Sequence, residues 1–490
     1  MIGARWVSCP AASKTWQLDA EADSWRGGFG DPPRMVVAHV LGATVCVLPS
    51  PLAGEGVGVR GQAAITRTRL RHPLPSRERV EDRKRCRTVN VLVVNCGSSS
   101  IKYSLFRMRD AEEAAVLASG LVEKIGEASS RLHHQAGDAE ETSEVQAPDH
   151  RAAFGLMIRA LVEGPAAVIA GPAEIGAVGH RLVHGAEQFT ESVRIDAKVI
   201  EAIEACVPLA PLHNPPNLIG IRAAMALMPG VPQVGVFDTA FHQTMAPPAF
   251  LYAIPYDLYA THRIRRYGFH GTSHRYVTGA AARFLGKPLA ETNVITAHLG
   301  NGCSITAVRG GRSVDTSMGL TPLEGLVMGT RSGDVDPALT FHLIRALGMT
   351  VDQVDAVLNR QSGLLGLSGV SNDMREVLRA AGEGDRRARL ALDIFSYRLK
   401  KYVGAYTAVL GRVDALVFTG GIGENAPRVR EGVCQGLETL GYVMDAARNT
   451  AAGGGPRDLA TPESPKRILV IPTDEEALIA RDTARIVSGG

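Results

Sequence analysis

The 490-residue chain is long enough for two or three domains with sizeable cores, and 45% hydrophobic content with 53 glycines is that of a globular α/β enzyme. Its 53 basic and 50 acidic side chains are unevenly spread: residues 1–88 hold 14 Lys and Arg against 8 Asp and Glu, leaving 39 against 42 for the rest. A mildly acidic body argues against nucleic acid as the main partner. The cysteines (Cys9, Cys46, Cys86, Cys96, Cys206, Cys303 and Cys434) lack close pairs or metal spacing and read as reduced thiols.

Residues 1–88 look foreign to the rest of the chain. They carry all three tryptophans, Trp6, Trp16 and Trp25. The apolar run Met35 to Pro49 is too short to span a bilayer, and the long mixed-charge leader before it does not fit a secretory signal. The Pro/Gly/Arg-rich stretch after it has no periodicity and reads as disordered. The expectation is a native start close to Val89, with a basic anchoring tail as the alternative.

From Asn90 the sequence NVLVVNCGSSSIKYSLF reads as strand, small-residue turn, strand. A helix is expected over Ala152–Leu161, then Val178–Gly185 runs from an apolar start into a loop with two His and an Arg. Another helix is expected over Val199–Val207, followed by a proline-stiffened loop, Pro208–Asn217, that fixes His213. Val234–Phe237 reads as a buried strand delivering Asp238 at its carboxyl end, where ligand groups collect in open α/β sheets; a helix N-cap is the equal alternative. Arg265–His274 adds two His and two Arg without a nearby acidic or thiol ligand, which disfavours zinc.

At Asn293 the first pattern recurs as NVITAHLGNGCSITAV. With Asn90 set on Asn293, Asn95 falls on His298, Gly97 on Gly300 and Ser98 on Asn301. Glycines in such turns let backbone approach a ligand and aim N–H groups at phosphate oxygens. One Gly-Asn-Gly hairpin is usually only a turn, but two copies suggest similar domains facing one nucleotide. The chain has no Walker-type loop. Gly329–Asp334 comes next, with Arg331 between small residues. Then come a capping sequence, Ser371–Arg375, and a long helix through Asp393, Tyr397 and Tyr402. The strand Asp414–Phe418 opens into Gly-Gly-x-Gly, and the strand Arg467–Ile471 leads through the cap Thr473–Glu476 to a terminal helix.

Nine segments in order, VNCGSSSIKYSLF, GHRLVHGAE, PLHNPPN, VFDTAFH, YGFHGTSH, HLGNGCS, MGTRSGDVDP, FTGGIGEN and PTDEEALIA, are spread along essentially the whole of residues 89–490. The chain resembles the acetate kinase family. The resemblance implies an α/β fold of duplicated ribonuclease H-like, actin-like ATPase domains with the active site in the cleft between them. Domain I would be 89–240 plus 476–490 and domain II 241–475. It also implies a cytoplasmic homodimer that takes acetate, acetyl phosphate and ATP or ADP, with Mg²⁺ (or Mn²⁺) and with neither a membrane nor a nucleic acid as partner.

By position, the resemblance makes Asn95 and Glu475 the metal ligands, with Glu476 the alternative to Glu475. Ser98, Ser100 and Lys102 would line the phosphate hairpin. Arg181 would bind the acetate carboxylate, with Val183, Leu212, Phe269 and Pro322 around the methyl. Arg331 and His270 would stabilise the phosphoryl in flight, supported by His213, and Asp238 would be the acid/base or orienting carboxylate. The nucleotide would meet His298, Leu299, Gly300, Asn301 and Gly302, then Asp373, Met374 and Arg375, and Gly421, Ile422, Gly423, Glu424 and Asn425. A carboxylate acceptor is already ionised at neutral pH, so Asp238 suits orientation better than proton removal. The competing expectations are a propionate or other short-chain carboxylate kinase, and an ATP-driven clamp without acyl phosphate chemistry. Leu182 and Ala186 are minor departures from the family pattern.

Overall fold

Each glycine-turn hairpin is the centre of its own sheet. β1 (Thr88–Cys96) pairs antiparallel with β2 (Ser100–Arg109), Asn95 opposite Lys102. The meander continues through β3 (Glu113–Glu123), β4 (Ser130–Ala136) and β5 (Ala139–Val145). After α1 (His150–Val162), β6 (Ile175–Leu182) returns parallel to β1 on its free side. A short edge strand β7 (Val193–Arg194), α2 (Ala197–Ala205) and α3 (Asn214–Leu227) lead to β8 (Gln233–Phe237), parallel to β6.

The second half repeats the order. α4 (Gly271–Phe284) precedes the antiparallel meander β9 (Asn293–Leu299), β10 (Cys303–Arg309) and β11 (Arg312–Thr316). α5 (Met374–Gly382) and α6 (Arg386–Leu410) lead to β12 (Ala415–Thr419), parallel to β9. β13 (Arg457–Asp458) covers the outer edge of β14 (Arg467–Val470), which runs parallel to β12, and α7 (Glu475–Val487) ends the chain. Among the described residues the central orders are β3-β2-β1-β6-β8 and β11-β10-β9-β12-β14. Three antiparallel strands followed by two parallel ones, twice, is the duplicated ribonuclease H-like, actin-like fold.

The computed structural model describes residues 88–490 except 110–112, 212 and 490, together with an antiparallel pair, His39–Val40 and Ala43–Thr44. The chain divides into the units Met1–Val80 and Glu81–Gly490. That pair falls within the apolar run Met35 to Pro49; apart from it, the expectations for the leader, its apolar run and its charged stretch lie outside the described residues, as does Leu212.

The apolar runs of β1 and β9 follow from burial on both faces. Leu92 and Val94 pack with Phe154 of α1 and Ala224 of α3, while Val91 and Val93 pack with Ile479 and Ala480 of α7. Ile295 and Ala297 meet Phe395 and Leu399 of α6, and Val294 meets Val277 and Ala281 of α4. Burying such a side chain is worth about 1.5–3 kcal/mol, so the two hairpins are held rigidly and their turns carry the site. The expected loop Pro208–Asn217 is shorter than read. A 3₁₀ turn covers Val207–Leu209 and α3 begins at Asn214. Prolines fit the first helical turn because its N–H groups have no helical acceptor, and their fixed φ suits the helix.

Candidate active site

Beside the turn of the first hairpin lies a cleft of about 550 Å³. Asn95, Ser98 and Ser100 reach it from the first hairpin, Arg181 and Val183 from the end of β6, His213 from the start of α3 and Asp238 from beyond β8. Phe269 and His270, just before α4, face it together with Pro322 and Arg331. An adjoining cleft of about 340 Å³ shares Asn95 and Arg181 and adds Lys102, Glu475 and Glu476. Residues expected at the chemistry from widely separated segments are thus drawn to one place. A groove of about 500 Å³ between α6 and the helix Pro427–Cys434 contains none of them.

Parallel register explains the first charge pair. Leu182 of β6 lies opposite Phe237 of β8, so Arg181 and Asp238 emerge at neighbouring carboxyl ends. Arg181 donates from Nε to Asp238 Oδ1 at 3.2 Å and from Nη2 to Oδ2 at 2.7 Å, and its Nε lies 3.6 Å from Glu475. This side-on fork raises the guanidinium pKa further. Asp238, 2% exposed, is therefore spent on Arg181 rather than on capping a helix. Glu476 is engaged by Lys102 at 2.7 Å and by the Ser104 hydroxyl at 2.6 Å. Glu475 lies on the Arg181 side, where burial raises its carboxyl pKa against the opposing pull of Arg181.

His270 sits in the left-handed region at φ 56°. It is followed by Gly271, where a β-carbon would lie 2.2 Å from the Asp238 carbonyl oxygen. Its ring stacks on His298 at 4.4 Å, and Nδ1 is 2.9 Å from Ser304 Oγ. Burial first, then the fields of His298, Arg181, His274 and Arg331, push its pKa well below the usual value, so the imidazole is neutral at pH 7. Arg331 donates from Nη1 to the Pro322 carbonyl at 3.0 Å and, among the described residues, has no carboxylate within 4 Å. At Gly302 a β-carbon would be 3.5 Å from Arg331 Nη1 and 3.6 Å from His270 Nε2, so both groups converge over a position with no side chain.

The nucleotide candidates surround the second turn. Asn301 carries its side chain to Asn372 at 3.0 Å and its carbonyl to the Gly329 N–H at 2.8 Å. Gly420 abuts the Leu299 backbone, its N–H bound by Glu424 at 2.9 Å, and Asn425 donates to the Gly421 carbonyl at 3.0 Å. Asp373 caps α5 and pairs with Arg375 on the surface. Leu299 and Met374 bury their side chains in the second core, and Ile422 packs against it, so these three border the turn chiefly through backbone.

Several other histidines have structural partners. His180 bonds Gln233 at 2.7 Å, His242 bonds Ser313 and the Phe269 carbonyl, and His274 bonds Thr296 and Ser304. Sequence reasoning missed Asn217, which accepts from the Val183 N–H at 3.1 Å and donates to the Cys96 carbonyl at 2.8 Å. That amide joins the end of β6 to the turn of the first hairpin. The second Asn of the HNPPN motif was the available signal.

The sequence matches the model of the Acetokinase family over residues 90–481. The chain belongs to that family. It is 54% identical over 401 residues to the acetate kinase of Thermotoga maritima, covering 81% of this chain and 99% of that protein. Among solved structures, an acetate kinase of Porphyromonas gingivalis aligns with TM-score 0.78 at 49% identity, covering 81% of this chain and 99% of that one. A propionate kinase of Francisella tularensis aligns with TM-score 0.76 at 45% identity, covering 81% and 100%. As an acetokinase, the chain is a phosphotransferase whose acceptor is a carboxyl group.

Proposed function

We propose that the protein catalyses reversible, Mg²⁺-dependent phosphoryl transfer between ATP and acetate, giving acetyl phosphate and ADP. The observation that carries this reading is the convergence of three groups, Arg181, His270 and Arg331, on one cleft beside the first hairpin turn, with Gly302 of the second turn against His270 and Arg331. Phosphoryl transfer asks little covalent chemistry of a protein; it needs two anions held in line and their charge compensated.

Arg181 has Nε and Nη2 held by Asp238, which leaves Nη1 for the acetate carboxylate. Val183, Phe269 and Pro322 give the methyl an apolar surround. The acetate oxygen needs no base, and Asp238 fixes the Arg181 fork. Arg331 and neutral His270, with His213 beside them, receive the phosphoryl as it moves from nucleotide to acetate.

Asn95 and Glu475 would hold Mg²⁺ or Mn²⁺. The donor set fits, because both are oxygen donors on one cleft and Glu476 is engaged by Lys102 and Ser104. Mg²⁺ takes one or two protein oxygens when phosphates and water complete its shell, and it neutralises phosphate charge.

The reading includes domain I at 89–240 plus 476–490 and domain II at 241–475, in keeping with α7 packing on the first sheet. It also includes a homodimer. The helix Ala338–Leu347 has no buried residue, and with Val351–Arg360 it exposes Phe341, Leu347 and Val351, an apolar face suited to a second copy. Among the described residues no helix is long and apolar enough to cross a membrane, and the buried thiols Cys96, Cys206, Cys303 and Cys434 suit the cytoplasm. The test is ³¹P NMR of protein with ATP, acetate and Mg²⁺. An acetyl phosphate resonance that EDTA abolishes is expected; ATP hydrolysed to phosphate without an acyl phosphate would support the clamp instead.

A further inference from the structure

A line of buried polar groups runs behind His270. His270 and His274 are four residues apart, at the N-terminal end of α4 and on one face. Ser304 of β10 stands between them, its Oγ 2.9 Å from His270 Nδ1 and 2.8 Å from His274 Nε2. Behind His274, its Nδ1 is 2.7 Å from Thr296 Oγ1. Ser304, His274 and Thr296 are all fully buried. At the other end, His270 Nε2 faces the cleft beside Arg331.

A neutral imidazole has one N–H and one lone pair, and a hydroxyl has one hydrogen to give and can accept two. If Ser304 accepted from both imidazoles, its own buried hydrogen would have no acceptor among the described residues, which leaves a chain that runs in one of two directions. In one, Thr296 donates to His274 Nδ1, His274 Nε2–H to Ser304, and Ser304 to His270 Nδ1, leaving the His270 hydrogen on Nε2. In the other every hydrogen reverses, and His270 turns a lone pair toward the cleft. The reversed chain ends on the Thr296 hydroxyl, whose hydrogen then has no acceptor among the described residues; buried donors rarely go unpaired. It would also set a lone pair against an incoming anion. The forward chain uses every hydrogen and offers the anion a donor.

We infer that Ser304 is a positioning residue: through Thr296 and His274 it holds neutral His270 in the tautomer whose Nε2–H donates into the cleft alongside Arg331. This deepens the proposed phosphotransfer reading, yet its first test does not depend on turnover. ¹⁵N NMR of the histidine-labelled full chain, with the His270 signals identified by their loss in His270→Asn, reads the tautomer directly. A protonated Nε2 and bare Nδ1 at pH 7.5 are expected; a proton on Nδ1 overturns the inference whatever the enzyme's activity.

Kinetics supply the second test. Ser304→Ala is expected to lower kcat by at least tenfold while KM for ATP and acetate stays within about twofold, because the lost donor acts on the phosphoryl in flight. Thr296→Val, the same size and far from substrate, is expected to lower kcat in the same sense and to mix the tautomers. Ser304→Thr, which keeps the hydroxyl, should recover most of the rate. Unchanged kcat in Ser304→Ala, or equal losses in Ser304→Thr and Ser304→Ala, would refute the positioning role.

Discussion

Arg181 is tied to buried Asp238 and lies beside half-buried Glu475, so its removal should damage stability and activity by separable routes. In Arg181→Ala, Asp238 keeps its charge at 2% exposure but loses both hydrogen bonds of the fork, and Glu475 loses the cation 3.6 Å away. Breaking a buried ion pair from one side costs about 3–5 kcal/mol, because the remaining charge is stranded. Adding Asp238→Asn removes that stranded charge and should restore stability to within about 1–2 kcal/mol of the parent. The acceptor site stays empty of its cation in both variants. Thermal and urea unfolding, run beside an acyl phosphate assay, should therefore show the single variant unstable and inactive, and the double variant stable and inactive. A single variant as stable as the parent would refute the pairing argument. A double variant that regains turnover would refute Arg181 as the group that holds the acceptor.

Arg331→Ala gives the contrasting case. Arg331 has no carboxylate partner among the described residues, so unfolding midpoints should barely move while kcat falls roughly 10²–10³-fold, as on losing a preorganised transition-state donor. Gly329→Ala would put a β-carbon 1.9 Å from Asn301 Oδ1 and disturb its bond to Asn372. KM for ATP should rise about tenfold, the worth of one hydrogen bond, with a smaller change in kcat. Acid should unfold the protein through its histidines. Burial depresses His180, His184, His242 and His298 from 6.5 to about 4, His184 also by His213 and His298 also by Arg181. A depressed histidine pKa means the unfolded chain binds the proton first. The stability is fully present above pH 6.5 and is lost as pH falls from 6.5 to 4, on the order of 3 kcal/mol for each group. Urea midpoints flat between pH 7.5 and 6.5 and falling steeply below are expected; midpoints level down to pH 4.5 would contradict it.

Much of the site could be read in the sequence because its parts are local. The two turns announce themselves as glycine and small residues between apolar runs, and Asp238 as an acid closing a fully apolar strand. The partnerships were not legible. Arg181 meets Asp238 only through the parallel register of β6 on β8. Ser304 reaches His270 and His274 because β9 and β10 set His298 opposite Ser304 while α4 packs on that sheet. Glu475 and Glu476 are adjacent in the chain, and only packing turns one to Lys102 and the other toward Arg181. The start of α3 was hidden because its prolines, which read as loop, also fit a first helical turn.

The central claim is that this cleft makes an acyl phosphate from a short carboxylate, and the most direct measurement is hydroxamate trapping with the full chain, ATP and Mg²⁺. Acetate and propionate would be compared side by side. One methylene in an apolar pocket is worth only about 1–3 kcal/mol, so a clear but finite preference is expected, with kcat/KM for acetate the higher. Higher kcat/KM for propionate would keep the mechanism and change the substrate. No hydroxamate from either acid, with ATP bound, would contradict the account.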